Sequence, residues 1–228
     1  MTRITEQLAD LNRRIEAAAS LAGRDIGSVA ILAVTKKQPP ETIRDAQKVG
    51  LRHFGENYVQ EALTKIPELE GNPVWHFIGR VQSNKTRQIA ENFAWVHTVN
   101  NRRTAERLSR QRPGQTGDLQ ICIQVRPVGA DDRGGIDSAQ VPELADIIRD
   151  LPRIRLRGLM MMPLPEQTEH SIRQEYARTR QILEELRQGG HEVDTLSMGM
   201  STDLEAAIIE GSTMLRIGTA LFGPRNNA

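Results

Sequence analysis

The chain has 228 residues, of which 30 are Lys or Arg and 29 are Asp or Glu, so its net charge is close to zero. This length is near the roughly 250 residues typical of an eight-unit βα barrel, and it allows a large core. The balanced charge creates no overall field that would attract nucleic acid or an anionic membrane, so we expect a small-molecule partner.

The sequence lacks the usual signals for export, membrane insertion, disulfide formation and metal binding. Charged residues recur through the first twenty positions, and no later run is apolar enough to span a bilayer. The single cysteine, Cys122, lies in an apolar run and is expected to be a core residue in a reducing compartment. The histidines show no paired ligand spacing, so no metal site is predicted. We therefore expect a soluble cytoplasmic protein with neither a nucleic-acid nor a membrane partner.

In chain order, the predicted elements begin with one amphipathic helix and then alternate between strands and helices. Apolar residues from Ile4 to Ala18 recur at steps of three and four, and Gly23 supplies a stop. Short β-rich runs then end near Lys36, Glu56, Ile78, Thr98, Val125, Met160, Ser197 and Ile217. Helical patterns between them cover 41–49, 83–92, 104–112, 138–151 and 172–186, with Ser83 and either Asn100 or Asn101 as candidate caps.

This alternation predicts an α/β fold with a parallel sheet. Eight strand–helix units of roughly 28 residues each favour closure into a (β/α)8 TIM barrel, as a single domain over residues 1–228 with an extra N-terminal helix. The alternative, an open Rossmann-like sheet, requires a glycine-rich turn after the first strand. The turn at that point, Lys36 to Pro40, contains no glycine.

Lys36 ends the first predicted strand and is a candidate for covalent chemistry. The apolar run from Ile31 to Val34 leads directly into Thr35, Lys36 and Lys37. A partly buried amine beside another cation becomes nucleophilic and can form a Schiff base with an aldehyde. On this stretch alone, a Lys-Lys pair in a solvated turn is the more ordinary interpretation, because most lysines carry no chemistry.

The loops after the seventh and eighth strands are suited to a phosphate, which βα barrels often hold there. In the first loop, Thr202 and Glu205 have capping-box spacing, which leaves Ser201 and backbone N–H groups for an anion. A well-capped helix explains that loop equally well. In the second loop, Gly218 permits close approach and Thr219 offers an N–H and a hydroxyl.

Three further strand ends carry polar side chains. Arg216 precedes Gly218 by two residues, which favours a role at the site over a surface salt bridge. Asn57 follows the second strand, where its amide can bond to a ring oxygen. His76 shares a strand face with Ile78 and is a candidate binding residue, although a core histidine bonded to a neighbour is the more frequent outcome.

Other segments are less informative. The stretch 83–87 suits an anion at a helix end or simply a capped helix, and the arginines between 102 and 112 predict a solvated basic face because no aromatic residues interleave them. The segment 131–135 is expected to be a mobile loop at the rim.

Seven motifs occur in order along the chain: AVTK at 33–36, FGENYVQE at 54–61, WHFIG at 75–79, QSNK at 82–85, RGLM at 157–160, SMGMS at 197–201 and GSTMLRIGT at 211–219. Together they resemble the pyridoxal phosphate homeostasis protein family, which is related to the N-terminal barrel of bacterial alanine racemase. The resemblance runs from the first strand to the C-terminus. Two departures occur: Lys37 stands where a threonine is common, and residues 132–135 replace a more usual Ser-Lys-Ser-Gly.

The resemblance implies a barrel that holds pyridoxal 5′-phosphate (PLP) as a Schiff base on Lys36. It also implies that Asn57 lines the ring and Arg216 approaches the pyridine nitrogen. The phosphate would be held by Ser201, Gly218 and Thr219.

The expected role is a carrier of PLP with no catalytic residue. A charged arginine at the pyridine nitrogen leaves that nitrogen unprotonated, which makes the ring a poor electron sink. Racemases resembling alanine racemase add a tyrosine from a second domain of the partner subunit, whereas Tyr58 and Tyr176 here fall in helical stretches. We expect a monomer that delivers PLP to apo enzymes. A weak or specialised amino-acid racemase and a Schiff-base lyase for sugar phosphates are the alternatives.

Overall fold

Eight parallel strands pair in the order in which they occur in the chain and close into a barrel. The computed structural model describes residues 3–130 and 134–223. Its strands are β1 (Ala30–Val34), β2 (His53–Glu56), β3 (Val74–Phe77), β4 (Trp95–Val99), β5 (Leu119–Gln124), β6 (Ile154–Met160), β7 (Thr195–Ser197) and β8 (Met214–Ile217). The prediction of a (β/α)8 barrel is confirmed.

Helices surround the barrel, and the predicted N-terminal helix lies against the last two of them. The helices are α1 (Arg3–Leu21), α2 (Pro40–Lys48), α3 (Val59–Lys65), α4 (Thr86–Asn92), α5 (Arg102–Gln111), α6 (Val141–Arg149), α7 (Glu169–Gln188), α8 (Leu204–Ile209) and α9 (Thr219–Phe222). Among the described residues, no helix is both long enough and apolar enough to cross a membrane.

The strands are apolar because both of their faces are covered, as in other parallel sheets. All five residues of β4 are buried, and Leu32 and Ala33 of β1 and Ile121 of β5 are fully buried as well. Cys122 packs with Trp95 and Met160 in a small cluster separate from the main core. Burial raises the pKa of its thiol to about 12, which agrees with its predicted role as a core residue.

Two predicted helix caps are wrong and one is confirmed. Asn101 caps α5, because its side-chain oxygen accepts a hydrogen bond of 2.8 Å from the backbone N–H of Thr104. Ser83 does not cap α4, which begins only at Thr86. The Thr202–Glu205 capping box does not form either, since α8 begins at Leu204 and the Glu205 carboxylate bonds to an arginine of α1.

The predicted rim loop at 131–135 falls largely outside the described residues. Positions 131–133 belong to the part of the chain that the structure does not describe, and Gly134 and Gly135 both have positive φ angles. The loops that follow the other strands at their carboxyl ends lie within the described residues.

Candidate functional site at the barrel mouth

A cavity of about 950 Å³ opens at the carboxyl ends of the strands. This volume falls within the range of cofactor and small-molecule pockets. Six of the seven predicted site residues line it: Lys36, Asn57, Ser201, Arg216, Gly218 and Thr219. The strand ends that were separate in the sequence therefore converge on one cavity.

Lys36 lies half-buried on the wall of this cavity, and the backbone on both sides of it is held by neighbours. The hydroxyl of Thr35 donates to the carboxylate of Glu56 at 2.7 Å. On the other side, the backbone N–H of Lys37 donates to the Glu61 carboxylate, and Lys37 has a φ of 62°. The peptide that presents Lys36 is thus fixed by two carboxylates of the β2–α3 segment.

A buried ion cluster connects these two carboxylates. The ammonium group of Lys65 lies 2.8 Å from Glu56 and 2.6 Å from Glu61, and the Lys65 side chain is only 5% exposed. Burial raises the pKa of Glu56, while hydrogen bonds from Lys65 and Thr35 oppose that shift. Sequence reasoning missed this cluster, and the only signal for it was the helical i, i+4 spacing of Glu61 and Lys65.

The loops after β7 and β8 are tied to one another at the site. The backbone N–H of Ala220 donates to the Ser201 hydroxyl at 3.1 Å, which joins the two loops. Asp203 accepts the backbone N–H of Met200, and its second carboxylate oxygen accepts the Tyr176 hydroxyl at 2.9 Å. These contacts shape the loop that was predicted to hold an anion.

Gly199 shows why that loop turns so tightly. Its φ is 92°, and an added Cβ would lie 2.6 Å from the Cβ of Ala207 and 2.7 Å from a methyl group of Leu215. Only glycine adopts this conformation without strain at such close approach. The loop is therefore pressed directly against α8 and β8.

Arg216 enters the cavity from β8 and is 6% exposed. It donates to the Ser197 hydroxyl at 2.9 Å, to the Ser197 carbonyl oxygen, and to the Met161 carbonyl oxygen at 2.9 Å. Burial lowers the pKa of the guanidinium, yet arginine keeps its charge in proteins. Arg216 is a fixed cationic donor at this position.

The backbone of Asn57 lies very close to the backbone of Gly79. A Cβ on Gly79 would lie 2.0 Å from the Asn57 carbonyl oxygen, so Gly79 must lack a side chain. The side-chain oxygen Oδ1 of Asn57 is buried and has no hydrogen-bond partner among the described residues. An unsatisfied buried acceptor on the wall of a cavity is a position at which a ligand can donate.

His76, the seventh predicted residue, does not line the cavity. It is fully buried in β3, and its two ring nitrogens lie 2.9 Å from nitrogens of His53 and His97. It lies two residues before Ile78, which does line the cavity, so it sits deeper in the barrel. Its position is that of a core histidine bonded to its neighbours, which was the alternative interpretation.

Several residues of the cavity wall were not singled out as binding residues from the sequence. Arg80 and Arg103 line the opening, and Thr98 and Met160 line it as well. Three of these lie at or just after strand ends, and position at a strand end was the signal that identified the other candidates. Arg103 had been assigned to a solvated face because no aromatic residues interleave the arginines between 102 and 112.

The fold and the cavity together define a βα-barrel protein with a small-molecule site built around a lysine, a buried arginine and a glycine-containing double loop. Comparison with known proteins agrees with this class. The family model for the N-terminal domain of alanine racemase matches residues 7–226.

Two curated relatives match almost the whole chain. The pyridoxal phosphate homeostasis protein of Pseudomonas aeruginosa is 50% identical over 227 residues, which cover 99% of this chain and 97% of the relative. The protein of the same name from Escherichia coli K12 is 45% identical and covers 99% of this chain and 98% of the relative. Among solved structures, PipY of Synechococcus elongatus with PLP bound is 37% identical, with a TM-score of 0.80, and covers 92% of this chain and 100% of that one. The chain therefore belongs to the pyridoxal phosphate homeostasis proteins, within the family of the alanine racemase N-terminal domain.

Proposed function

We propose that this protein binds PLP in the barrel cavity as a Schiff base on Lys36 and serves PLP homeostasis and delivery inside the cell. The observation that carries the proposal is the convergence of Lys36, Arg216 and the Ser201 loop on one cavity. A relative that is 37% identical was solved with PLP bound, and the curated relatives carry the name of that role.

The residues present fit PLP. When bound, PLP supplies an aldehyde that condenses with a primary amine, and a phosphate that requires hydrogen-bond donors. Lys36 supplies a primary amine on the cavity wall. Ser201, Gly218 and Thr219 supply hydroxyl and backbone groups from the two loops. The unpaired acceptor of Asn57 and the cationic donor of Arg216 provide polar contacts for a heteroaromatic ring.

A carrier role is supported by what surrounds the cavity. Arg216 is charged and already held by Ser197 and Met161, so it would place a cation, and no acid, beside a pyridine nitrogen. Neither tyrosine lines the cavity: Tyr58 is 60% exposed at the start of α3, and Tyr176 is buried behind the loop, bonded to Asp203. A tyrosine acid/base of the racemase type therefore has no counterpart among the residues that form this wall.

The remaining features of the proposal are cytoplasmic location, a monomeric state and apo PLP enzymes as recipients. The large apolar side chains exposed on the described surface are Leu21, Ile26, Tyr58, Val128 and Met162. Leu21 and Ile26 are five residues apart, and the other three are well separated in sequence; isolated exposed apolar residues are normal on monomers. The near-neutral charge supports small-molecule binding over binding to nucleic acid.

The proposal is tested by adding PLP to the purified protein, reducing it with borohydride, and locating the pyridoxyl mass by peptide mass spectrometry. We expect the label on Lys36 and its loss in Lys36→Ala, while the matched variant Lys37→Ala keeps it. A label on Lys37 or Lys85, or none at all, would contradict the assignment. Steady racemisation of an amino acid by wild type that disappears in Lys36→Ala would favour the racemase alternative over the carrier.

A further inference from the structure

Four buried or partly buried side chains form a hydrogen-bonded chain from Arg216 into the interior of the barrel. Ser197 lies 2.9 Å from Arg216 and 2.8 Å from Nδ1 of His97. Nε2 of His97 lies 2.9 Å from Nδ1 of His76, and Nε2 of His76 lies 2.9 Å from Nδ1 of His53. With Arg216 included, the hydrogen-bonded chain thus runs through five strands, from β8 and β7 to β4, β3 and β2.

The chain has a direction because Arg216 has donors and no acceptor. The guanidinium donates to the Ser197 oxygen, so the Ser197 hydroxyl proton is available for the acceptor Nδ1 of His97. His97 then carries its proton on Nε2 and donates to Nδ1 of His76, which in turn donates from Nε2 to His53. Every hydrogen bond in this arrangement has one donor and one acceptor.

The reverse arrangement leaves a buried group unsatisfied. If Nδ1 of His97 carried the proton, Ser197 would accept from both His97 and Arg216, and its own hydroxyl proton would have no acceptor in the hydrogen bonds of the described residues. Ser197 is fully buried, and a buried donor without a partner costs about 1–3 kcal/mol. The arrangement in which each histidine accepts at Nδ1 and carries its proton on Nε2, the forward arrangement, is therefore favoured.

The environment keeps these rings neutral, as the forward arrangement requires. Burial is the main cause that lowers the pKa of His76 well below its ordinary value and that of His97 to about 3, and the charge of Arg216 adds to the effect on His97. The ring of Trp95 stacks on that of His76 with the ring centroids 5.3 Å apart, and it covers one face of the imidazole.

We propose that His53, His76, His97 and Ser197 form a one-way hydrogen-bond chain, with the Nε2–H tautomer at each histidine, which positions the Arg216 guanidinium at the cavity. Ser197 holds one Nη group and the Met161 carbonyl holds the other, so the plane of the guanidinium is fixed before any ligand arrives. The benefit of this preorganisation for PLP binding rests on the proposed function. The assignment of the histidine tautomers does not depend on it.

Nitrogen NMR of the apo protein tests the tautomers directly. The protein has only five histidines, so each ring can be assigned. His170 and His191 are not part of the hydrogen-bond chain and serve as internal references. At pH 7.5 we expect long-range ¹H–¹⁵N correlations to show a single neutral Nε2–H form for His53, His76 and His97. An Nδ1–H form or a charged ring at His76 or His97 would overturn the proposal.

Ser197→Ala removes the group that transmits the direction from Arg216. We expect His97 and His76 to lose their single tautomer in this variant, while Ser109→Ala, which removes a buried serine hydroxyl bonded to the Pro152 carbonyl, leaves all five histidines unchanged. Retention of the pure Nε2–H form in Ser197→Ala would show that Arg216 does not set the direction.

The positioning role has its own readout. We expect Ser197→Ala to bind PLP about tenfold more weakly than wild type and to shift the absorption maximum of the bound cofactor, because a charged donor with one partner fewer is less well oriented. Unchanged affinity and spectrum would refute positioning. If the wild-type protein itself takes up no PLP, the proposed function fails. The tautomer measurement still tests whether the hydrogen-bond chain has the proposed direction.

Discussion

The ammonium group of Lys65 lies 2.8 Å from the backbone carbonyl oxygen of Thr35, the residue directly before Lys36. The same ammonium contacts the carboxylates of Glu56 and Glu61, and these two groups bind the hydroxyl of Thr35 and the N–H of Lys37. A buried charge on α3 therefore secures the peptide that presents Lys36 to the cavity.

Lys65→Met is expected to destabilise the protein by about 3–5 kcal/mol, because it leaves the buried Glu56 carboxylate without its counter-charge. Urea unfolding followed by circular dichroism measures this loss. Lys48→Met is the matched control, since Lys48 pairs with Asp45 at the surface with a side chain that is 74% exposed, and we expect a change below about 0.5 kcal/mol. Equal effects of the two substitutions would mean that the buried cluster contributes no more than a surface pair.

Tyr176→Phe is expected to cost about 1–3 kcal/mol and to weaken PLP binding, because the buried Asp203 carboxylate loses a donor and the loop that contains Ser201 is held less firmly. Thermal unfolding and PLP titration check the two effects. Tyr58→Phe provides the comparison, since Tyr58 is 60% exposed and should change neither quantity. Normal PLP affinity in Tyr176→Phe would show that the loop keeps its shape without the tyrosine.

The strand order and the location of the site followed from the sequence because both depend on local patterns. Each of the eight strands ends within two residues of its expected position, since apolar runs and glycine or proline stops are local signals. Parallel strands in a barrel bring their carboxyl ends together, so Lys36 and Gly218 had to meet. Their contacts with PLP stay a prediction.

What the sequence did not predict depends on how helices and strands are rotated against one another. Glu205 bonds to Arg14, a residue 191 positions away on α1, and α8 begins only at Leu204, so the predicted capping box does not form. Lys65 was not singled out from the sequence, because only the placement of α3 brings its ammonium group to the carbonyl oxygen of Thr35, directly after β1. His76 was assigned to the correct strand face, but alternation along a strand does not say how deep in the barrel a residue lies.

Gly79→Ala is expected to destabilise the protein by about 1–3 kcal/mol or more, because the new Cβ would lie 2.0 Å from the Asn57 carbonyl oxygen and neither backbone segment can move freely. PLP affinity should fall with stability, since Asn57 lines the cavity. Gly114→Ala is the control, as a Cβ there meets nothing within 4 Å. If the two variants unfold at the same urea concentration, the close approach of Gly79 and Asn57 is wrong.

The stability of the apo protein is expected to fall as the pH drops below about 6.5, the ordinary pKa of a histidine in the unfolded chain. Burial lowers the pKa of His97 to about 3, so between these values the unfolded state takes up a proton that the folded state does not. Between pH 7.5 and 5.5 this single group lowers the free energy of unfolding by about 1.4 kcal/mol, in a range where most carboxylates stay ionised.

We therefore expect the loss of unfolding free energy over that interval to be about 1.4 kcal/mol smaller in His97→Gln than in wild type. His170→Gln, at an exposed position of α7, should follow the wild-type pH dependence. Equal pH dependence of wild type and His97→Gln would show that His97 is protonated in the folded protein as readily as in the unfolded chain.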